Sequence, residues 1–90
     1  MSEGKVFLIF QDTAEARPFI NALEQENPKA SFDYQPGMVR IEAMGELGMT
    51  REVVCEQAGR DVDLQELHLT LISLSGNIEE DDDYFRVVRH

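Results

Sequence analysis

The stretch that decides the fold is Ala30-Ser31-Phe32-Asp33-Tyr34-Gln35-Pro36-Gly37-Met38-Val39-Arg40-Ile41-Glu42-Ala43-Met44. It reads as two alternating segments about a turn. In residues 30–35, Phe32 and Tyr34 fall on one side. In residues 38–44, Val39, Ile41 and Ala43 point inward while Arg40 and Glu42 point outward. A period of two marks strands with one buried face. In Pro36-Gly37, proline suits the second position of a tight turn and glycine the positive φ of the third. The stretch therefore predicts an antiparallel hairpin.

Toward the N-terminus, residues 5–10 (Lys-Val-Phe-Leu-Ile-Phe) form an almost unbroken apolar run. It is too short for a buried helix and rich in β-formers, so a central strand covered on both faces is expected. Asp12 and Glu15 have capping-box spacing, and Ala16, Phe19, Ile20 and Leu23 form one helical face. Pro18 conflicts with a helix starting at Asp12; either its first turn is irregular or the regular helix begins nearer Ala16. Asn27-Pro28 ends the helix, because the residue before proline is pushed out of helical geometry.

Toward the C-terminus, Gly45 and Gly48 bracket a connection. Thr50 caps a short helix over residues 51–58, and Gly59 suits its C-terminal stop. Residues 64–74 read as extended, with Leu67, Leu69 and Leu71 alternating with Glu66, His68 and Thr70. The phase shifts at Leu71–Ile72, which predicts a bulge or burial of both faces there. Ser75-Gly76-Asn77 and the acidic run Glu79–Asp83 are expected to form a loop, and Tyr84–Val88 a last strand. The order βαββαββ predicts an α+β fold, a largely antiparallel sheet with two helices, distantly ferredoxin-like.

The 90 residues fit one domain, residues 1–90, with about 60–65% of the unfolded surface buried on folding. Eighteen acidic against eight basic residues give a net charge of −10. That balance opposes nucleic-acid binding, which needs a positive footprint, and opposes an anionic membrane surface. A single cysteine, Cys55, excludes an internal disulfide and any four-cysteine metal site within the chain. No apolar run reaches the length of a membrane span, and Met1-Ser2-Glu3-Gly4 lacks a signal-peptide pattern. A cytoplasmic location is expected.

Reactive constellations are scarce. Cys55 has no neighbouring His or basic cluster and reads as a packed small residue. His68 reads as a surface or strand-edge residue, and His90 as a mobile terminus. The Glu79–Asp83 run lacks the spacing of a calcium loop and reads as solvated. No phosphate-binding glycine pattern occurs. The chain is expected to be no enzyme, to carry no cofactor and no metal, and to act through its surface. Competing classes are an acidic nucleic-acid mimic, a small-molecule-binding regulatory module and an acyl carrier protein. Interspersed Arg40, Arg51, Arg60 and Arg86 oppose the first, and the strand alternation opposes the last.

Several segments taken in order resemble one family. They are Asn27-Pro28; Val39-Arg40-Ile41-Glu42-Ala43-Met44-Gly45-Glu46-Leu47; Thr50-Arg51; Gly59-Arg60 followed by Leu64-Gln65-Glu66-Leu67; and Leu74-Ser75-Gly76-Asn77-Ile78 with the acidic run. Over residues 5–88 the chain resembles the regulatory (effector or coupling) proteins of bacterial multicomponent di-iron monooxygenases, nearest to the phenol hydroxylase type. The resemblance implies a βαββαββ fold and no prosthetic group. It also implies a di-iron hydroxylase component as partner, whose turnover, substrate and oxygen access and coupling the protein tunes. Asn27 is the implied contact, with Pro28 setting a loop that lies toward the hydroxylase's active-site helices. The alternative for Asn27 is a helix C-cap, and the two roles are compatible. Ser75, Gly76 and Asn77 are added as interface rim because they are polar loop positions; Gly59 and Gly76 also read as backbone devices. Unlike larger relatives, the chain starts at its first strand, so the role of an N-terminal extension does not carry over. Gly48 stands where a larger apolar residue would suit, and its connection is expected to be mobile.

Overall fold

The computed structural model describes residues 4–89; the expectations for His90 and for the first three residues lie outside it. The elements are β1 (Lys5–Gln11), α1 (Arg17–Glu26), β2 (Ser31–Gln35), β3 (Met38–Met44), β4 (Glu46–Thr50) and α2 (Arg51–Ala58). A 3-10 helix (Leu64–Leu69), β5 (Leu71–Ser75), β6 (Asn77–Glu80) and β7 (Tyr84–Val88) complete the chain. One sheet has the order β2-β3-β1-β5 and the other β4-β7-β6, with antiparallel pairing throughout. The α+β class and the hairpin agree with the sequence, and an all-helical carrier protein is excluded. The single ferredoxin-like sheet gives way to two, joined where the chain passes straight from β3 into β4 and from β5 into β6.

A single glycine turns each of those passages. Gly45 has φ +87° and Gly76 φ +131°, values that side-chain-bearing residues avoid. Gly76 also has no room: a Cβ there would meet Val87 Cγ2 at 2.5 Å and the Val88 carbonyl at 3.0 Å. Such corners let a strand leave one sheet and enter the next, closing both around one core. That core joins Val6, Leu8 and Phe10 of β1 and Val39 and Ile41 of β3 to Phe19, Ile20 and Leu23 of α1. Leu47, Met49, Phe85 and Val87 of the second sheet complete it.

Four expectations are corrected. First, β1 is covered on one face only; Phe7 and Ile9 on the other are half-buried, with the Arg40 guanidinium 4.3 Å from the Phe7 ring centroid. Second, no Asp12–Glu15 box forms: Asp12 pairs with Arg17, Thr13 takes the Ala16 N–H, and the helix starts at Arg17 with Pro18 in its first turn. There the missing N–H costs no hydrogen bond. Third, residues 64–69 are helical rather than extended. Asp63 and Glu66 form a capping box, and buried Leu64 and Leu67 repeat at three residues per turn. Leu69 consequently projects outward, and His68 sits on this helix rather than in a strand. Fourth, Glu46–Thr50 and Asn77–Glu80 are strands, so only Asp81–Asp83 of the acidic run remains a turn. There Asp81 Oδ1 accepts the N–H groups of Asp83 (2.7 Å) and Tyr84 (3.1 Å). The expected bulge is present: Ser73 pairs with Ile9 and Leu71 with Phe10, leaving Ile72 over.

Candidate interaction surface

Helix α1 ends against the free edge of β4. Its last residue, Glu26, accepts the Thr50 N–H at 2.7 Å and the Thr50 hydroxyl at 3.1 Å. The next residue, Asn27, accepts the Gly48 N–H at 3.2 Å and donates from Nδ2 to the Gly48 and Leu23 carbonyls, both at 2.8 Å. Alternate residues of a strand present their backbone polar groups to the same edge, so residues 48 and 50 are a matched pair of targets. Two consecutive side chains thus stand in for a missing neighbouring strand. Glycine gives this strand close approach to its neighbour, because a Cβ at position 48 would lie 3.0 Å from Arg86 Cβ on β7 and would have to push it aside. Gly48 is therefore held in strand β4 rather than in the mobile connection expected from sequence.

Two open grooves flank this clamp and share Asn27 and Glu46. The larger, about 610 Å³, runs over the second sheet past Glu26, Gly48, Thr50, Tyr84 and Arg86. The smaller, about 380 Å³, is lined by Pro28, Lys29, Ala30, Ala43 and Met44. Met44 is 64% exposed, and Pro28 is exposed beside it. Arg86, which lines the larger groove with Glu46 and Tyr84, lies 3.6 Å from Glu46 and 5.6 Å from the Tyr84 ring centroid, and it bonds Glu79 on neighbouring β6 at 2.6 Å. The hydrogen bond to Glu79 holds its guanidinium above the usual arginine pKa. On the first sheet the hydrogen bond from Arg40, aided by Lys5, holds the Glu42 carboxyl below its usual pKa against some desolvation.

The expected site residues divide into two places. Asn27 and Pro28 share the smaller groove; Ser75, Gly76 and Asn77 line neither groove. Ser75 Oγ accepts from Arg89 at 2.9 Å, Gly76 forms the sheet corner, and Asn77 is exposed opposite Val88. Sequence reading missed Glu26, Met44 and Thr50 as parts of this surface. Only Thr50 carried a local signal, as a cap, and it accepts the Val53 N–H at 3.5 Å. Cys55 is a free, half-buried thiol whose sulfur accepts the Val62 N–H at 3.2 Å, and it packs against the core. Nε2 of His68 lies 3.2 Å from Glu80, and its ring meets Phe85 edge-on. Among the described residues, no group of three or more His, Cys, Asp and Glu side chains is placed to hold a metal. No helix among them is long and apolar enough to cross a membrane.

Fold and surface define a small α+β protein with two antiparallel sheets and an open groove pair where α1 meets β4. The chain belongs to the MmoB/DmpM family, whose pattern matches residues 4–88. It is 44% identical over 80 residues, 89% of each chain, to the stimulatory component DmpM of phenol 2-monooxygenase from Pseudomonas sp. (strain CF600). It matches a chain in a phenol hydroxylase–regulatory protein complex at TM-score 0.89 and 41% identity, over 96% of this chain and 99% of that one. The regulatory protein B of soluble methane monooxygenase shares the fold, at TM-score 0.75 and 18% identity over all of this chain and 68% of that one.

Proposed function

We propose that this chain is the cofactor-free regulatory component of a phenol-type di-iron hydroxylase. The observation that carries this is the match, over nearly the full length of both chains, to one found in a phenol hydroxylase–regulatory protein complex. The 44% identity to a stimulatory component supports it. Residues 1–90 act as one domain, and its place is the cytoplasm, where the free thiol of Cys55 stays reduced.

A docked protein alters an enzyme only through different affinities for its conformations. In this reading the domain favours a hydroxylase state with rearranged helices over the di-iron site, which changes substrate and oxygen access. A preference of about 1–3 kcal/mol shifts populations roughly 5- to 150-fold. The docking surface is the Asn27–Pro28 loop with exposed Met44; Asn27 holds the loop and Pro28 presents it. Ser75, Gly76 and Asn77 form a second contact patch, with Asn77 its exposed member.

The test reconstitutes hydroxylase and reductase with a titration of this protein. Turnover and the ratio of product to reductant consumed should both rise to saturation. Met44→Glu should weaken the half-saturating concentration about tenfold, the effect of losing one well-buried contact, with the melting temperature unchanged. Turnover and coupling that stay flat across the titration would refute the proposal.

A further inference from the structure

With eighteen acidic residues to eight basic ones, each cation of this chain has carboxylates to spare. Lys5, Arg17, Arg40, Arg60 and Arg86 each pair with one. Arg51 donates to the Val62 carbonyl, and Arg89 to the Lys5 carbonyl and the Ser75 hydroxyl. Among the described residues, Lys29 alone of the lysines and arginines has neither an ion pair nor a side-chain hydrogen bond, and it is exposed. It follows Asn27-Pro28 directly and stands where two grooves meet. The smaller groove of the Asn27–Pro28 loop continues past Lys29, Ala43 and Met44 into a third, of about 250 Å³, on the outer face of the first sheet, bordered by Lys5, Ser31 and Glu42. The carboxylates along these two grooves are already engaged. Glu42 is held by Arg40 at 3.0 Å and Lys5 at 3.4 Å, and Glu46 lies 3.6 Å from Arg86.

We infer that Lys29 sets the register of the docked complex by pairing with a carboxylate of the hydroxylase that borders the seat of Met44. This rests on the regulatory reading and names the chemistry its docking surface meets. An apolar contact at Met44, which is 64% exposed in the free chain, excludes water from its surroundings. An ammonium group that loses water needs an anion beside it. The chain's own carboxylates there are taken, so the partner supplies it. As water leaves, the attraction between the two charges grows. The rest of the surface carries the excess of negative charge, so the same hydroxylase carboxylate repels the acidic surfaces that other poses would present. Net charge brings the chain to the partner, and this one charge of opposite sign fixes how it lands.

The test measures binding to the hydroxylase, and the half-saturating concentration for turnover with hydroxylase and reductase, for the parent and four variants. Lys29→Met keeps the stem and removes the charge; it should weaken both by about tenfold, and Lys29→Glu by more. Lys29→Arg should stay within about twofold of the parent. Maximal turnover and melting temperature should be those of the parent in all three. Arg60→Met, outside these grooves, changes the net charge as Lys29→Met does and should leave binding within about twofold. The sign is decisive, because making the chain more negative would by steering alone speed its approach to a basic partner. Lys29→Met binding as tightly as the parent, an equal loss in Arg60→Met, or a loss that tracks a lowered melting temperature would each overturn the inference while leaving the regulatory reading intact. A parent chain that neither binds nor stimulates would overturn both.

Discussion

Replacing Asn27 by alanine removes three side-chain hydrogen bonds at once: two donated, to Leu23 and Gly48, and one accepted, from Gly48. Each contributes about 0.5–1.5 kcal/mol net, and leaving the Gly48 groups unmatched adds desolvation cost. Asn27 is only half-buried, so water recovers part of the loss. A total of about 2–3 kcal/mol follows. At about 4–8 °C per kcal/mol for a domain of this size, the Tm should fall by about 8–24 °C. Thermal and urea unfolding measure this directly. The isosteric Asn27→Asp is the sharper probe. It can still accept the Gly48 N–H, but it turns both donated bonds into carboxylate–carbonyl contacts. It should be as damaging as alanine at neutral pH and partly relieved on acidification, when the protonated carboxyl donates again. A Tm loss below about 4 °C in Asn27→Ala, under roughly 1 kcal/mol, would refute the clamp. A large loss of hydroxylase stimulation at unchanged Tm would make Asn27 a direct contact instead.

Gly76→Ala should cost about 2–4 kcal/mol in urea unfolding, because a methyl group at φ +131° meets Val87 and the Val88 carbonyl. Thr50→Ala should cost about 1 kcal/mol, as it removes the α2 cap and the hydroxyl bond to Glu26. Glu42 titrates lower in the folded chain than in the unfolded one. Its contribution is therefore present above the unfolded carboxylate pKa, about 4.3, and is lost as pH falls through the lower folded value. Stability measured from neutral pH into this acid range should accordingly fall less steeply in Glu42→Gln than in the parent. With a charge of −10, association with the hydroxylase should slow as salt rises, read by stopped-flow; a salt-independent rate would remove electrostatic steering from the account.

Elements whose pattern is local were legible in the sequence. The β2–β3 hairpin follows from alternation about Pro36-Gly37, and α2 from Thr50 and Gly59. The bulge at Ile72 was legible as a change of phase. Residues 64–69 read as extended because Leu67, Leu69 and Leu71 alternate, whereas the local signal for a helix is the capping pair Asp63 and Glu66. Strand β4 was hidden because Gly48 reads as a breaker until Asn27, 21 residues away, is seen to hold it.

By itself the sequence determined the class of fold, the excess of negative charge and the helix stop at Asn27-Pro28. These depend on periodicity, composition and backbone preference, which neighbours along the chain fix. Tertiary structure alone decided that the strands divide into two sheets at Gly45 and Gly76, and that Asn27 points into the edge of β4. Each of these is a pairing between distant segments, and the identity of a strand's neighbour is set by packing around the shared core rather than by any residue within the strand.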